Sequence, residues 1–147
     1  MHYLWAGPST ILGLALALTA LRRGRIFVVD GVVEAHSPFL RWALTRLIPL
    51  PGGASAITFG HVVLARDELA LDLTRAHERM HVAQDERLGP LFIPAYLLSG
   101  LWAYARGGHP YFDNRFEREA IRERGHRHRA RLAQVCRARG RRARDRW

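Results

Sequence analysis

Lysine is absent from this chain of 147 residues, cysteine occurs once and methionine twice. The lone Cys136 excludes an internal disulfide framework and a Cys-rich zinc knuckle, and it leaves the redox compartment open. Without lysine, all 23 basic residues are arginine, which fits GC-rich coding better than a need for guanidinium recognition. Acids are scarce at one end. From Arg122 to Trp147 eleven arginines face only Glu123 and Asp145, so nine of the ten excess positive charges lie in the tail. Charge is missing altogether from Tyr3 to Leu21. What remains is an ordinary globular balance, 48% hydrophobic and 24% charged, sufficient for one domain with a real core and incompatible with wholesale disorder. No internal repeat is present.

The uncharged stretch Tyr3–Leu21 is followed by Arg22, Arg23 and Arg25. Its nineteen residues would span roughly 28 Å as a helix, close to a bilayer core. No basic residue precedes it, which argues against an ordinary secretory leader. The expectation is a membrane anchor over residues 1–24, with the remaining chain held in the cytoplasm by the arginines that follow. A cleaved signal and a core helix are the alternatives.

Beyond it, bulky residues alternate on both sides of Asp30-Gly31 and predict a hairpin with strands at Arg25–Val29 and Val32–His36. Leu40–Ile48 reads as a short amphipathic helix, Pro49–Ala56 as loop, and Ile57–Ala65 as one strand. A helix over Thr74–Leu88, capped by Asp72 or Thr74, ends at Gly89-Pro90. Pro94–Arg106 is a helix apolar almost all round, which suits a core or a membrane face. Gly107-Gly108-His109-Pro110 breaks the chain before a last helix that starts near Asn114 and runs into the tail.

Within the Thr74–Leu88 helix stands His77-Glu78-Arg79-Met80-His81, an H-E-x-x-H sequence. Residues four apart on a helix are neighbours, so two imidazoles can converge on one ion. Glu78 lies about 100° round, beside such an ion rather than on it, where it can hold and deprotonate a water. The face of His77 and His81 also carries Leu73, Met80, Gln84 and Leu88, and so points inward; Arg79, Ala83 and Glu86 point away. Two core histidines satisfied by backbone groups are the structural alternative.

A catalytic zinc takes three protein ligands and keeps a position for water. Candidates for the third ligand are Glu117, Glu119, His109, His61, Asp113 and His36. On the last helix Glu117 shares the small apolar face with Ala120 and Ile121, whereas Glu119 turns toward solvent; this selects Glu117. A salt-bridged carboxylate is the plainer reading of the same residue.

HERMH together with Phe116–Ala120 (FEREA) resembles the gluzincin metallopeptidases. Within them it is most similar to the CAAX-prenyl-protease and heat-shock membrane-protease group, whose second motif reads E-x-x-A-D. The chain also looks like small uncharacterised bacterial proteins with this signature. The resemblance spans about Thr74 to Ile121 and implies His77, His81 and Glu117 as zinc ligands with Glu78 as general base. Ile121 stands where that group has Asp, so a partner for a ligand histidine must come from elsewhere; Asp113, Asn114 and Asp85 are candidates.

The fold expected is α+β: a minimal zincin-like domain over 25–121, in which a β-hairpin and a further strand pack on the active-site helix and two more helices, plus the apolar N-terminal helix. The function expected is a membrane-associated zinc metallopeptidase acting on a peptide or protein. His109 or Tyr111 would polarise the scissile carbonyl or stabilise its oxyanion, although ordinary loop residues capping a helix are the favoured reading of the two, and the Ile57–Ala65 strand would take substrate by β-addition. The alternative is a non-enzymatic, membrane-associated basic module with a structural zinc or a nucleic-acid-binding tail. The tail over 122–147 has one aromatic, Trp147, and no reading motif, so it predicts only weak, sequence-independent contact with nucleic acid or anionic lipid. Cys136 is expected to be inert.

Overall fold

A computed structural model describes residues 6–48, 50, 52–123 and 125. Most of the Arg-rich tail, with Cys136 and Trp147, lies outside them. The described residues form an α+β fold built on one four-stranded mixed sheet.

Helix α1 (Gly7–Ala17) runs into a 3-10 turn (Leu18–Leu21). Strands β1 (Arg25–Val29) and β2 (Val32–His36) follow, and then helix α2 (Pro38–Arg46). The first hairpin falls where the sequence puts it. Asp30 and Gly31 both take positive φ, 49° and 78°, the geometry that suits the twist of a two-residue hairpin turn. Ser37 caps α2 by accepting from Leu40 N–H, which starts the helix two residues ahead of expectation.

The expected single strand at Ile57–Ala65 is instead a second hairpin, β3 (Ala56–Phe59) and β4 (Val62–Ala65). Gly60 turns the chain with φ of 57°, and a Cβ there would crowd Thr10 on α1. The apolar run concealed that turn. The sheet order is β1-β2-β4-β3, antiparallel in each hairpin and parallel where β2 meets β4.

Alternation along β4 supplies both layers of the core. Val62 and Leu64 join Ala17, Ala20, Ala35 and Leu40 under α1 and α2. Val63 and Ala65 join Val32, Leu71 and Val82 under the long helix α3 (Glu68–Leu88). The N-terminal apolar stretch therefore packs on the domain through the small residues Ser9, Gly13 and Ala17, and a Cβ at Gly13 would fall 2.7 Å from that of Val62.

α3 starts at Glu68, six residues before the expected start at Thr74, and is capped by Asp67, whose carboxylate accepts from Ala70 N–H. Asp72 and Thr74 are merely interior to it. Gly89 ends the helix with positive φ, and a 3-10 turn (Gly89–Leu91) leads into α4 (Phe92–Ala105). Residues 115–123 form the last helix, α5. Among the described residues one helical run, Glu68–Ala105, is long and apolar enough to cross a membrane by length and composition.

A buried carboxylate locks α3 to the sheet. Glu34 on β2 accepts from Arg75 Nε and Nη2 at 2.9–3.2 Å and from Arg79 Nη2 at 3.3 Å. Arg79 also donates to the Val29 carbonyl.

Candidate metal centre

The 3.6-residue period gives α3 two working faces. Leu71, Glu78, Val82 and Asp85 are buried on one, of which Leu71 and Val82 pack into the sheet core and Glu78 meets Thr58 on β3. His77, His81 and Gln84 look onto α4 and α5. Of the other residues expected on that face, Met80 is buried but Leu73 is 69% exposed. Leu71 and Arg75 take the sheet side at that level, so the flank of α3 just before His77 is open to solvent.

Glu117 reaches the histidines because α5 is tied down at its start. Asn114 accepts from Phe116 N–H with Oδ1 and donates Nδ2–H to the Tyr96 carbonyl, both at 3.0 Å. Ser99 Oγ accepts from Arg115 N–H. Gly100 lets the loop before α5 close in, since a Cβ there would stand 2.9 Å from the Pro110 carbonyl oxygen.

The three donor groups then meet. His77 Nε2 lies 3.0 Å from His81 Nε2 and 3.0 Å from Glu117 Oε2, and His81 Nε2 lies 3.2 Å from Glu117 Oε1. A tetrahedral ion with bonds of about 2.0–2.1 Å would hold its ligands about 3.3 Å apart. Glu117 Oε2 is buried and accepts no hydrogen bond. An unsatisfied carboxylate oxygen facing two imidazole nitrogens is costly unless something positive lies between them. His77, His81 and Glu117 form a group that could hold a metal ion.

The tautomer of His81 and the charge of Glu117 fit that role. Gln84 is wholly buried. Its Oε1 accepts from His81 Nδ1–H at 2.8 Å, while its amide donates to the Phe116 carbonyl and to Glu119. Both acceptors fix the amide orientation, which leaves the Nε2 lone pair of His81 aimed at the cluster. Burial opposes ionisation of Glu117, but the imidazoles of His77 and His81 and the Tyr96 hydroxyl overturn it and hold the carboxyl far below the usual range. Burial likewise disfavours the His81 cation, and Glu117 outweighs that to raise its pKa.

Glu78 sits beside the triad. Thr58 Oγ1 on β3 donates to Glu78 Oε2 at 2.7 Å. Burial pushes the Glu78 carboxyl up, against the pull of His81, Thr58 and His77. Tyr96 donates to Glu117 Oε1 at 2.6 Å. Burial and the same carboxylate push the hydroxyls of Tyr96 and Tyr111 well above the ordinary tyrosine range.

Other candidates lie elsewhere. His109 accepts at Nδ1 from the Tyr111 and Phe112 amides, and Asp113 accepts from His109 N–H. His61 pairs with Glu86, and the His36 ring lies tilted against that of Phe27. Glu119, expected in solvent, turns back onto α3 to accept from Gln84 and Arg87. Asp85 accepts from Gly60 N–H. Thus none of Asp113, Asn114 and Asp85 supplies the hydrogen bond to His81; Gln84 does. Gln84, Thr58 and Tyr96 were not singled out as site residues from sequence. The one available signal was Gln84, three residues after His81 on its own face.

No family model, curated protein or solved structure matches the chain.

Proposed function

We propose that the chain is a zinc-dependent metallopeptidase, with His77, His81 and Glu117 as ligands. The observation that carries the reading is the convergence of two imidazole nitrogens and a buried, unsatisfied carboxylate oxygen within 3.0–3.2 Å of one another. Two nitrogens and an oxygen in a three-donor set suit zinc and leave a fourth position open. Zinc held there would supply a Lewis acid for a peptide carbonyl and ease the deprotonation of water.

The chain's own groups do the rest. Thr58 engages Glu78 Oε2, leaving Oε1 to take the proton of the attacking water and pass it to the leaving amine. Tyr96 keeps Glu117 oriented through Oε1. Tyr111, beside the same carboxylate, is the donor suited to the oxyanion. His109 spends Nδ1 on the loop amides and acts by shaping the loop that carries Tyr111. β3 is an edge strand and bears Thr58, so an extended peptide added to that edge would run past Glu78.

Glu78→Gln separates this reading from a structural metal. Zinc content should stay at the wild-type level while hydrolysis of an unfolded protein substrate falls at least a hundredfold. Equal hydrolysis by wild type and variant would overturn the assignment of Glu78, and an inert wild type with full zinc would favour the non-enzymatic module.

A further inference from the structure

Helix α4 carries no charge, yet it is not a core helix. Only Phe92, Gly100 and Ala103 of its fourteen residues are buried. The most apolar eighteen-residue window of the Glu68–Ala105 run is just 22% buried. Leu97, Leu98, Leu101, Trp102 and Tyr104 are each 63–68% exposed. By the helical step these five project within an arc of about 160°, and Phe92, Tyr96, Gly100 and Ala103 occupy the opposite arc. From Leu97 to Tyr104 the bare arc is an apolar ridge about 11 Å long, and Leu91, also exposed, lies beyond its N-terminal end. So large a contiguous apolar surface marks a contact site.

We propose that this ridge docks on an anionic lipid bilayer, with α4 lying in the interfacial plane. Charge selects lipid as the occupant. Between Arg87 and Asp113 there is no acidic residue, and Arg106 is the only arginine. Its guanidinium sits 5.4 Å from the centre of the Trp102 ring, at the end of the ridge. Leucines in the acyl region, a tryptophan at the boundary and a guanidinium among headgroups match the profile of a bilayer surface. A net charge of +10, nine of it in the Arg-rich tail, draws the chain as a whole to anionic headgroups.

The construction recurs on α1 and the 3-10 turn that follows it. Ile11, Leu12, Leu14, Leu18 and Leu21 are exposed, and Arg22 and Arg23 follow directly. In-plane docking follows from length and anchorage. The fourteen residues of α4 alone span about 21 Å, short of a hydrocarbon core of about 30 Å; the α3 part of the longer run is held to the sheet through Glu34, and Tyr96 on the inner arc is bonded to Glu117.

The test is flotation of the full chain with vesicles of phosphatidylcholine, alone or mixed with phosphatidylglycerol. Wild type should float with the mixed vesicles. Leu97→Glu/Leu101→Glu should cut the bound fraction at least tenfold, with unchanged circular dichroism and Tm, because two insertions are lost and two anions gained. Separately, Trp102→Phe should remove most of the fluorescence quenching that acyl-brominated lipid produces. Wild type that ignores vesicles, a double variant that floats equally well, or quenching untouched by Trp102→Phe would each overturn the proposal. So would a wild-type dimer by light scattering that the double variant converts to monomer, since a second copy would then cover the ridge.

Discussion

At the scale of single residues, the centre depends as much on what orients its ligands as on the ligands. Gln84 touches His81, the Phe116 carbonyl and Glu119, so one amide sets a tautomer on α3 and fastens the helix that carries Glu117. Gln84→Leu keeps the volume and removes all three bonds. Zinc affinity, measured by competition with a chromophoric chelator, should fall by about 10–100-fold. Gln84→Glu, which retains an acceptor for His81, should recover part of it. Unchanged affinity in Gln84→Leu would mean that the 2.8 Å contact orients nothing. The three residues of the candidate site were legible in the sequence, because i to i+4 spacing and the helical step are local geometry. Thr58 and Tyr96 were not. Their partners Glu78 and Glu117 lie twenty or more residues away, and only the fold brings them together.

At the scale of elements, α3 is held between two kinds of contact. On one face Glu34 grips Arg75 and Arg79 from the sheet; on the other the histidine face meets α4 and α5. Removing one partner of a buried ion pair strands the other, which costs about 3–5 kcal/mol when both are fully buried. The Arg75 side chain is 36% exposed and remains partly solvated, so Glu34→Ala should cost less, about 2 kcal/mol. Denaturant unfolding checks this, and a loss under about 0.5 kcal/mol, ordinary for a surface change, would mean the cluster is not holding α3. Punctuation decided which elements could be read in advance. Asp30-Gly31 announced its turn, whereas Gly60 lay inside an apolar run that looked continuous. Several residues able to cap a helix precede His77, and only the hydrogen bond to Ala70 N–H identifies Asp67 as the one that does.

At the scale of the whole molecule, the chain places a group that could hold a metal ion and an apolar ridge on opposite arcs of neighbouring structure. α4 presents Tyr96 to Glu117 on one side and leucines outward on the other. The uncharged stretch near the N-terminus looked like an anchor by composition. Composition could not show that its small residues, spaced at 9, 13 and 17, would fit against β3 and β4. The hydrogen-bond partner of His81 was likewise not singled out, since Gln84 comes from that histidine's own helix. Charge bias in the tail was plain from the sequence.

The most direct test is to count zinc, by elemental analysis, in protein purified without chelator, beside His77→Ala and Glu117→Ala. The account predicts about one zinc per chain, the stoichiometry of a single three-ligand site, with most of it lost in either variant while each stays folded by circular dichroism. Zinc retained at wild-type affinity by Glu117→Ala, or a wild-type protein that takes up none when zinc is supplied, would contradict it.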